Sequence, residues 1–187
     1  MLKEKNHLVV MGTPKNKENR KLVKVIAGNE VIRPTQSEKL LGLNINENLK
    51  WQDHILTNEK SLVRNLTSRA NAISKLSVSA SFKTRLKVAN AIFNSILIYM
   101  IPVWGGTEEY VIQALQVMQN KVARSVTKLP WDTPTQKLLL QCNWLSVKQL
   151  TTYHTLLQVY KIRQTGEPKY IMDKFSNAFP TKPGMVI

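Results

Sequence analysis

The pattern of apolar and polar residues divides the chain near residue 50. In the first part, short apolar runs alternate with turn residues, and Gly28 with Asn29 separates two runs in the manner of a β-hairpin turn. A later run contains Gly42, which indicates a bulge or a close approach of backbones. The predicted strands are residues 8–11, 23–27, 31–33 and 39–46.

From Trp51 onward, apolar residues recur every three or four positions, which predicts amphipathic helices. The apolar stripe of the first helix is formed by Leu62, Leu66, Ile73 and Leu76. A second helix is expected to begin near Ser79 or Ser81 and to end at Pro102. It is apolar almost all round, which is typical of a helix at the centre of a core.

Capping and breaking residues predict three further helices. In the first of them, Glu108 and Glu109 occupy the opening turn, where the helix dipole favours negative charge. The predicted starts are Thr107, Thr133 with Pro134, and Ser146, and the corresponding ends are Pro130, Cys142 and Gly166.

These elements predict an α+β fold, with a small N-terminal β-hairpin or sheet followed by a mostly α-helical bundle. The predicted segments are the strands and hairpin at 1–50, a three-helix bundle at 51–130, C-terminal helices at 131–175 and a flexible tail at 176–187.

Charge narrows the possible functions. The chain has 27 Lys+Arg against 12 Asp+Glu, a formal net charge of +15. No acidic residue occurs from Lys60 through Thr107, so the basic residues there lack the i,i+4 partners of an ordinary solvated helix. Such an excess attracts polyanions, although a basic surface that only aids solubility is the alternative. The candidate phosphate contacts are Lys60, Arg64, Lys75, Lys83, Arg85, Lys87, Lys121, Arg124 and Lys128.

Composition argues against several classes of protein. Cys142 is the only cysteine, which excludes a disulfide framework, and three histidines make a clustered zinc site unexpected. No apolar run approaches the ~18 residues that a membrane span needs. We therefore expect a soluble intracellular protein of the nucleus or cytoplasm, without a membrane partner and without a cofactor in this chain.

Catalytic patterns are also missing from the sequence. Asp53, Asp132 and Asp173 lie in separate segments, and no Asp-Asp pair follows an apolar run. The two-metal carboxylate site of a polymerase or nuclease therefore has no candidate residues. Taken by itself, the sequence does not predict a self-sufficient enzyme.

Two motifs in the helical part are distinctive. Residues 99–105 read YMIPVWG and residues 115–124 read LQVMQNKVAR. They resemble the Y-x-x-x-hydrophobic-W-G and L-Q-x-x-Q-N-K-x-x-R motifs of reverse transcriptases from non-LTR retrotransposons of the jockey-like and related kinds. The Trp144-Leu145 pair and residues 166–171 (GEPKYI) also fit that family.

The first fifty residues resemble the same family. Residues 4–12 are similar to the strand that follows the catalytic palm, with Asn6 where Thr is usual. Residues 39–55 are similar to the K-x-L-G…L-x-W…H-I element, with Asn46 where Asp is usual. The resemblance therefore covers nearly the whole chain.

This resemblance implies a fragment that runs from the end of the palm, through a primer-grip-like hairpin, into a thumb. The family's Ala-Asp-Asp motif, which binds Mg²⁺ in the full-length enzyme, would lie upstream of Val9. The chain would then hold RNA, DNA or an RNA–DNA hybrid, alone or with the missing palm and fingers, and would be inactive as an RNA-directed DNA polymerase. The primer-grip-like residues would be Leu41, Gly42 and Leu43.

Two other functions remain open at this point. The chain could be a domesticated, non-enzymatic helical module that binds nucleic acid or an acidic protein, or it could be an active polymerase. The tryptophans are expected to be core or interface anchors more often than platforms for base stacking. They are Trp51, Trp104, Trp131 and Trp144.

Overall fold

The structure is a computed structural model that describes residues 7–12, 17–28 and 30–178. It confirms the α+β class, because two small antiparallel sheets near the N-terminus precede a mostly helical region. The strands are β1 (Val25–Ala27), β2 (Glu30–Ile32), β3 (Ser37–Leu40) and β4 (Leu43–Asn46). The α-helices are α1 (Lys17–Leu22), α2 (Leu62–Leu76), α3 (Phe82–Ala89), α4 (Ser95–Leu97), α5 (Ile101–Trp104), α6 (Glu109–Thr127), α7 (Thr135–Cys142), α8 (Val147–Thr165) and α9 (Lys169–Ala178).

Each sheet is a single hairpin. The predicted pairing across Gly28 is confirmed, with Val25 opposite Ile32. The single strand predicted at 39–46 is wrong, because the chain reverses within it and Leu40 pairs with Leu43. Leu41 (φ 48°) and Gly42 (φ 85°) form the two-residue turn, and positive φ at both positions matches the twist of the flanking strands.

The strand predicted at 8–11 is also wrong. Leu8 makes only an isolated parallel bridge to Pro34, and residues 9–12 are not in a strand. The Thr35 N–H donates to the Leu8 carbonyl and the Gly12 N–H donates to the Glu47 carbonyl, so the run is held at its two ends without forming a strand ladder among the described residues.

The core lies between α2, the segment from α3 to α5, and the long helix α6. The predicted stripe of α2 is confirmed, since Leu62, Leu66 and Ile73 are buried. Helix α6 packs against α2, α3, α7 and α8, so it is the central element of the bundle. The largest fully buried side chains include Trp104, Phe93, Ile55, Leu66, Ile73, Leu97, Ile101, Leu115 and Leu138.

The second predicted helix begins at its expected cap but ends early. Ser81 caps α3, a π-helical turn from Asn90 to Asn94 joins α3 to α4, and α4 ends at Leu97. Met100 then adopts a left-handed conformation (φ 54°) that redirects the chain. Pro102 lies in the first turn of α5 and does not end the preceding helix, because the first turn of a helix tolerates a residue without an N–H.

The later caps are confirmed in part. Ser146 caps α8 in a reciprocal capping box with Gln149, and Gly166 ends it in a left-handed conformation. Glu108, not Thr107, is the N-cap of α6, and the Thr107 hydroxyl donates to the Glu108 carboxylate. Pro134 is likewise the residue before α7 and not its first residue.

Helix α8 is not the last helix, because α9 follows Gly166 and extends to Ala178. The predicted flexible tail begins at residue 176, inside α9, and residues 179–187 of it lie outside the described residues.

Two adjacent glycines test the packing of α5 on α8. A Cβ added at Gly105 would lie 2.6 Å from the Ile101 carbonyl oxygen and 2.6 Å from Cγ2 of Thr151, whereas one at Gly106 would meet nothing within 4 Å. We expect Gly105→Ala to lower the free energy of unfolding by about 1–3 kcal/mol through overpacking. Gly106→Ala should change it by less than about 0.5 kcal/mol.

Urea unfolding of the two variants beside the parent chain measures both changes. Both substitutions remove a glycine from the same turn, so they share the effect on the unfolded chain and differ only in the contacts of the added Cβ. Equal changes in the free energy of unfolding would therefore contradict the close approach at Gly105.

Candidate nucleic-acid interface

Helix α2 separates an apolar side from a basic side. Its N-cap Ser61 accepts a hydrogen bond from the backbone N–H of Arg64, and its buried residues line one stripe. Arg64 and Lys75 are exposed and lie eleven residues apart, which is about three turns and about 16 Å along one face. Lys60, four residues before Arg64, is exposed beside the start of that face.

Helix α6 adds a further cation to this face. The Lys121 ammonium group donates to the Asn71 side-chain oxygen at 3.3 Å. Asn71 lies between Arg64 and Lys75 on the exposed side of α2. Lys60, Arg64, Lys75 and Lys121 therefore form one surface, here called the α2 basic face.

No ion pair involves this surface among residues 7–12, 17–28 and 30–178. The ion pairs in those ranges are His7–Glu38, Arg20–Glu47 and Lys148–Glu109, and none includes a residue of the α2 basic face. Glu59 is the nearest acid in sequence. The face thus presents an excess of positive potential to solvent.

Arg85 is a correction to the predicted set. Its side chain is buried, with 5% of its surface exposed. Its Nε donates to the Val126 carbonyl at 2.8 Å and its Nη1 donates to the Ala80 carbonyl at 2.6 Å. Arg85 therefore ties the start of α3 to the last turn of α6 and cannot contact a phosphate, so its prediction as a phosphate contact is wrong.

The remaining predicted cations fall into two further groups. Lys83 and Lys87 are exposed one turn apart on α3, on the side opposite Arg85, and no hydrogen bond in the described chain links them to the α2 basic face. Arg124 and Lys128 lie at the C-terminal end of α6. The structure therefore brings together only part of the predicted set.

The tryptophans differ in exposure. Trp104 is fully buried and donates to the Tyr99 carbonyl, and Trp144 is half-buried and donates to the Asn90 side chain. Trp51 is also half-buried. Trp131, in contrast, is 86% exposed in the loop after α6. Trp131 is therefore the tryptophan whose ring is free for stacking.

The primer-grip-like residues form the tip of the β3–β4 hairpin. Leu41 is exposed and Leu43 is buried in the core. The Tyr99 hydroxyl donates to the Leu41 carbonyl at 2.8 Å, which fixes the tip against the helical part. Gly42 and Tyr99 line a cavity of about 600 Å³ between the hairpin and the start of α2.

Two residues of that cavity, Lys39 and His54, are not among the predicted site residues. Lys39 of β3 lines the cavity beside Lys60 and Arg64, which were predicted as phosphate contacts. His54 also lines it and is 8% exposed, with its Nδ1 accepting a hydrogen bond from the Asn44 backbone N–H at 3.4 Å. Burial, and to a smaller extent the charge of Lys39, lowers the pKa of His54, so the ring is neutral at pH 7.

Asp53 and Cys142 are both engaged in the packing of the fold. Asp53 accepts hydrogen bonds from Asn46 and Thr57. No group of three or more His, Cys, Asp and Glu residues that could hold a metal ion occurs in the part of the chain that the structure describes. Burial raises the pKa of the Cys142 thiol to about 11, which keeps it protonated.

None of the helices in the described ranges is long and apolar enough to cross a membrane.

The role of Arg85 can be tested against an exposed lysine on the same helix. Arg85→Met removes the donors to two carbonyl groups and should lower the free energy of unfolding by about 2–4 kcal/mol. Lys87→Met removes one charge from the exposed side and should cost less than about 0.5 kcal/mol. Chemical unfolding of both variants measures the difference, and similar midpoints would contradict a structural role for Arg85.

Comparisons of this chain with protein-family models, curated proteins and solved structures found no match.

Proposed function

We propose that this chain holds nucleic acid, as the thumb-like part of a retrotransposon-type reverse transcriptase does, and that the α2 basic face makes the contact. The observation that carries the proposal is the row of exposed cations on that face that make no ion pair with a described residue. The resemblance of residues 99–105 and 115–124 to that family supports the same function. The chain does no bond chemistry of its own in this proposal.

The family-like motifs have packing roles that support the basic face. Gln119 is fully buried and donates to the Leu145 carbonyl at 2.9 Å, and Asn120 donates to Thr135 at 2.9 Å. These amides hold α7 and the start of α8 against one side of α6. The motif lysine, Lys121, lies on the other side and extends toward α2. The motif thus orients one cation of the face.

The contacts expected from this face are with phosphates. Lysine and arginine side chains that carry no carboxylate partner can replace the counterions condensed on a nucleic-acid strand. Phosphate contacts fix the position of a duplex and carry no sequence information. The proposed binding is therefore independent of base sequence.

Trp131 is a second candidate contact, in the loop after α6. Arg124 lies one turn after Lys121 on α6, and its Nε donates to the Trp131 carbonyl at 3.1 Å. This bond fixes the loop that carries the exposed indole ring. A base beyond the end of the duplex could stack on that ring, which is the kind of contact single-stranded segments make with exposed aromatic residues.

The salt dependence of binding tests the proposal. With phosphate contacts from the four residues of the α2 basic face, the logarithm of the association constant for a short RNA–DNA hybrid should fall against the logarithm of salt concentration. The expected slope is about −3 to −4. Fluorescence anisotropy over a range of salt concentrations measures it.

Two substitutions and a matched control identify the face. Lys75→Gln together with Lys121→Gln should make the slope shallower by about two. Lys161→Gln removes the same kind of charge from an exposed position on α8, away from this face, and should leave the slope unchanged. A slope near zero for the parent chain, or the same change in all variants, would overturn the proposal.

A further inference from the structure

The cavity between the β3–β4 hairpin and the start of α2 has an excess of positive charge. Its lining includes the cations Lys39, Lys60 and Arg64 and a single acid, Glu59. With His54 neutral, the lining has an excess of two positive charges. A phosphate monoester carries about the same amount of negative charge at neutral pH.

His54 supplies an unused hydrogen-bond donor to this cavity. Because Nδ1 accepts from the Asn44 N–H, the proton of the neutral ring is on Nε2. No residue within the described ranges accepts a hydrogen bond from that Nε2–H. The residue is 8% exposed, and Nε2 is not among the fully enclosed side-chain atoms that lack a partner, so this N–H meets solvent and can donate to a ligand oxygen in place of water.

The remaining walls complete a site of suitable size. Ser61, the N-cap of α2, lines the cavity, so the positive end of the helix dipole adds to the charge of the lysines and arginine. The Tyr99 ring lines it too and is held in place by the hydrogen bond to Leu41. A volume of about 600 Å³ lies within the range of ordinary small-molecule sites.

A second cavity in the described chain has the same excess of positive charge but is smaller and has no histidine in its lining. It measures about 250 Å³, and its lining includes Arg20 and Glu47. Arg20 donates to the Glu47 carbonyl at 2.8 Å and to the Asn48 side chain at 3.2 Å. Its other cations, Lys21 and Arg33, make no ion pair with a described residue, and the same is true of Lys39, Lys60 and Arg64 in the first cavity. The first cavity therefore differs in its larger volume and in its histidine donor, not in its net charge.

We propose that the cavity lined by Lys39, His54, Lys60 and Arg64 binds a phosphate monoester of mononucleotide size. The phosphate group accepts from His54 Nε2 and from the cationic side chains, and the Tyr99 ring contacts the remainder of the ligand. The proposal stands whether or not the α2 basic face binds a duplex.

Calorimetric titration with adenosine monophosphate, inorganic phosphate and adenosine tests the site. The monophosphate should bind, phosphate should bind more weakly, and adenosine should not bind. Ring-nitrogen NMR shifts of His54 should move when the monophosphate is added. Binding of adenosine as tight as that of the monophosphate, or unchanged His54 shifts at saturation, would overturn the proposal.

Substitutions of lining residues should change the affinity for the monophosphate in opposite directions. Lys39→Gln removes an exposed cation and should weaken binding of the monophosphate about 3- to 10-fold. Glu59→Gln removes the one acid of the lining and should strengthen it about 2- to 5-fold. Lys161→Gln is the matched control and should have no effect. Equal affinities for all of these proteins would contradict the site.

A competition experiment identifies the source of the phosphate. A short oligonucleotide with a 5′-phosphate that displaces the monophosphate, when its 5′-hydroxyl counterpart does not, would assign the site to a strand end. Absence of displacement would assign it to a free mononucleotide. Lys75 and Lys121 lie outside the cavity lining, so this site and the duplex-binding proposal can fail separately.

Discussion

The buried amide of Gln119 is the constraint around which the helical part is arranged. A fully buried side-chain amide must find hydrogen-bond partners or destabilise the fold, and Gln119 finds them in Gln116 and in the Leu145 carbonyl. Gln116 in turn accepts from the Val147 N–H, at the start of α8. These bonds set the position of the α7–α8 connection on one side of α6. They leave the other side of α6 to pack on α2, where the basic face forms.

Much of the helical architecture could be predicted because its signals are local. The apolar stripe of α2 and the caps Ser81 and Ser146 depend on residues within one or two turns, and each is confirmed. The hairpin turn at Leu41 and Gly42 is expected from the resemblance alone, because the apolar pattern continues through these residues and predicts one strand. A leucine with positive φ gives no turn signal of the kind that Asn-Gly gives. Its cause is tertiary, since the neighbouring Leu43 is buried against the helices.

The candidate interface could be predicted from the sequence only where basic residues recur on one face of a single helix. Arg64 and Lys75 share an exposed face that follows directly from the helical period, and Lys60 lies in the turn just before the helix. Arg85 has the same type of side chain in the same acid-free interval, but its carbonyl partner on α6 is 41 residues away in sequence. His54 and Lys39 of the cavity are fifteen residues apart on different elements, and neither carries a motif. Such long-range pairings are set by packing and leave no periodic signature in the sequence.

The hydrogen bond from Tyr99 to Leu41 also affects how the molecule opens. A two-stranded hairpin has little stability of its own, so β3 and β4 depend on the helical part for their order. The described docking contacts include this bond, the burial of Leu43 and the packing of β4 on the turn at Asp53–Thr57. The hairpin can therefore separate from the helices in a local opening that leaves the α2–α6 core folded. Amide protons of β3 and β4 would then exchange with solvent through that opening, and those of α6 through global unfolding.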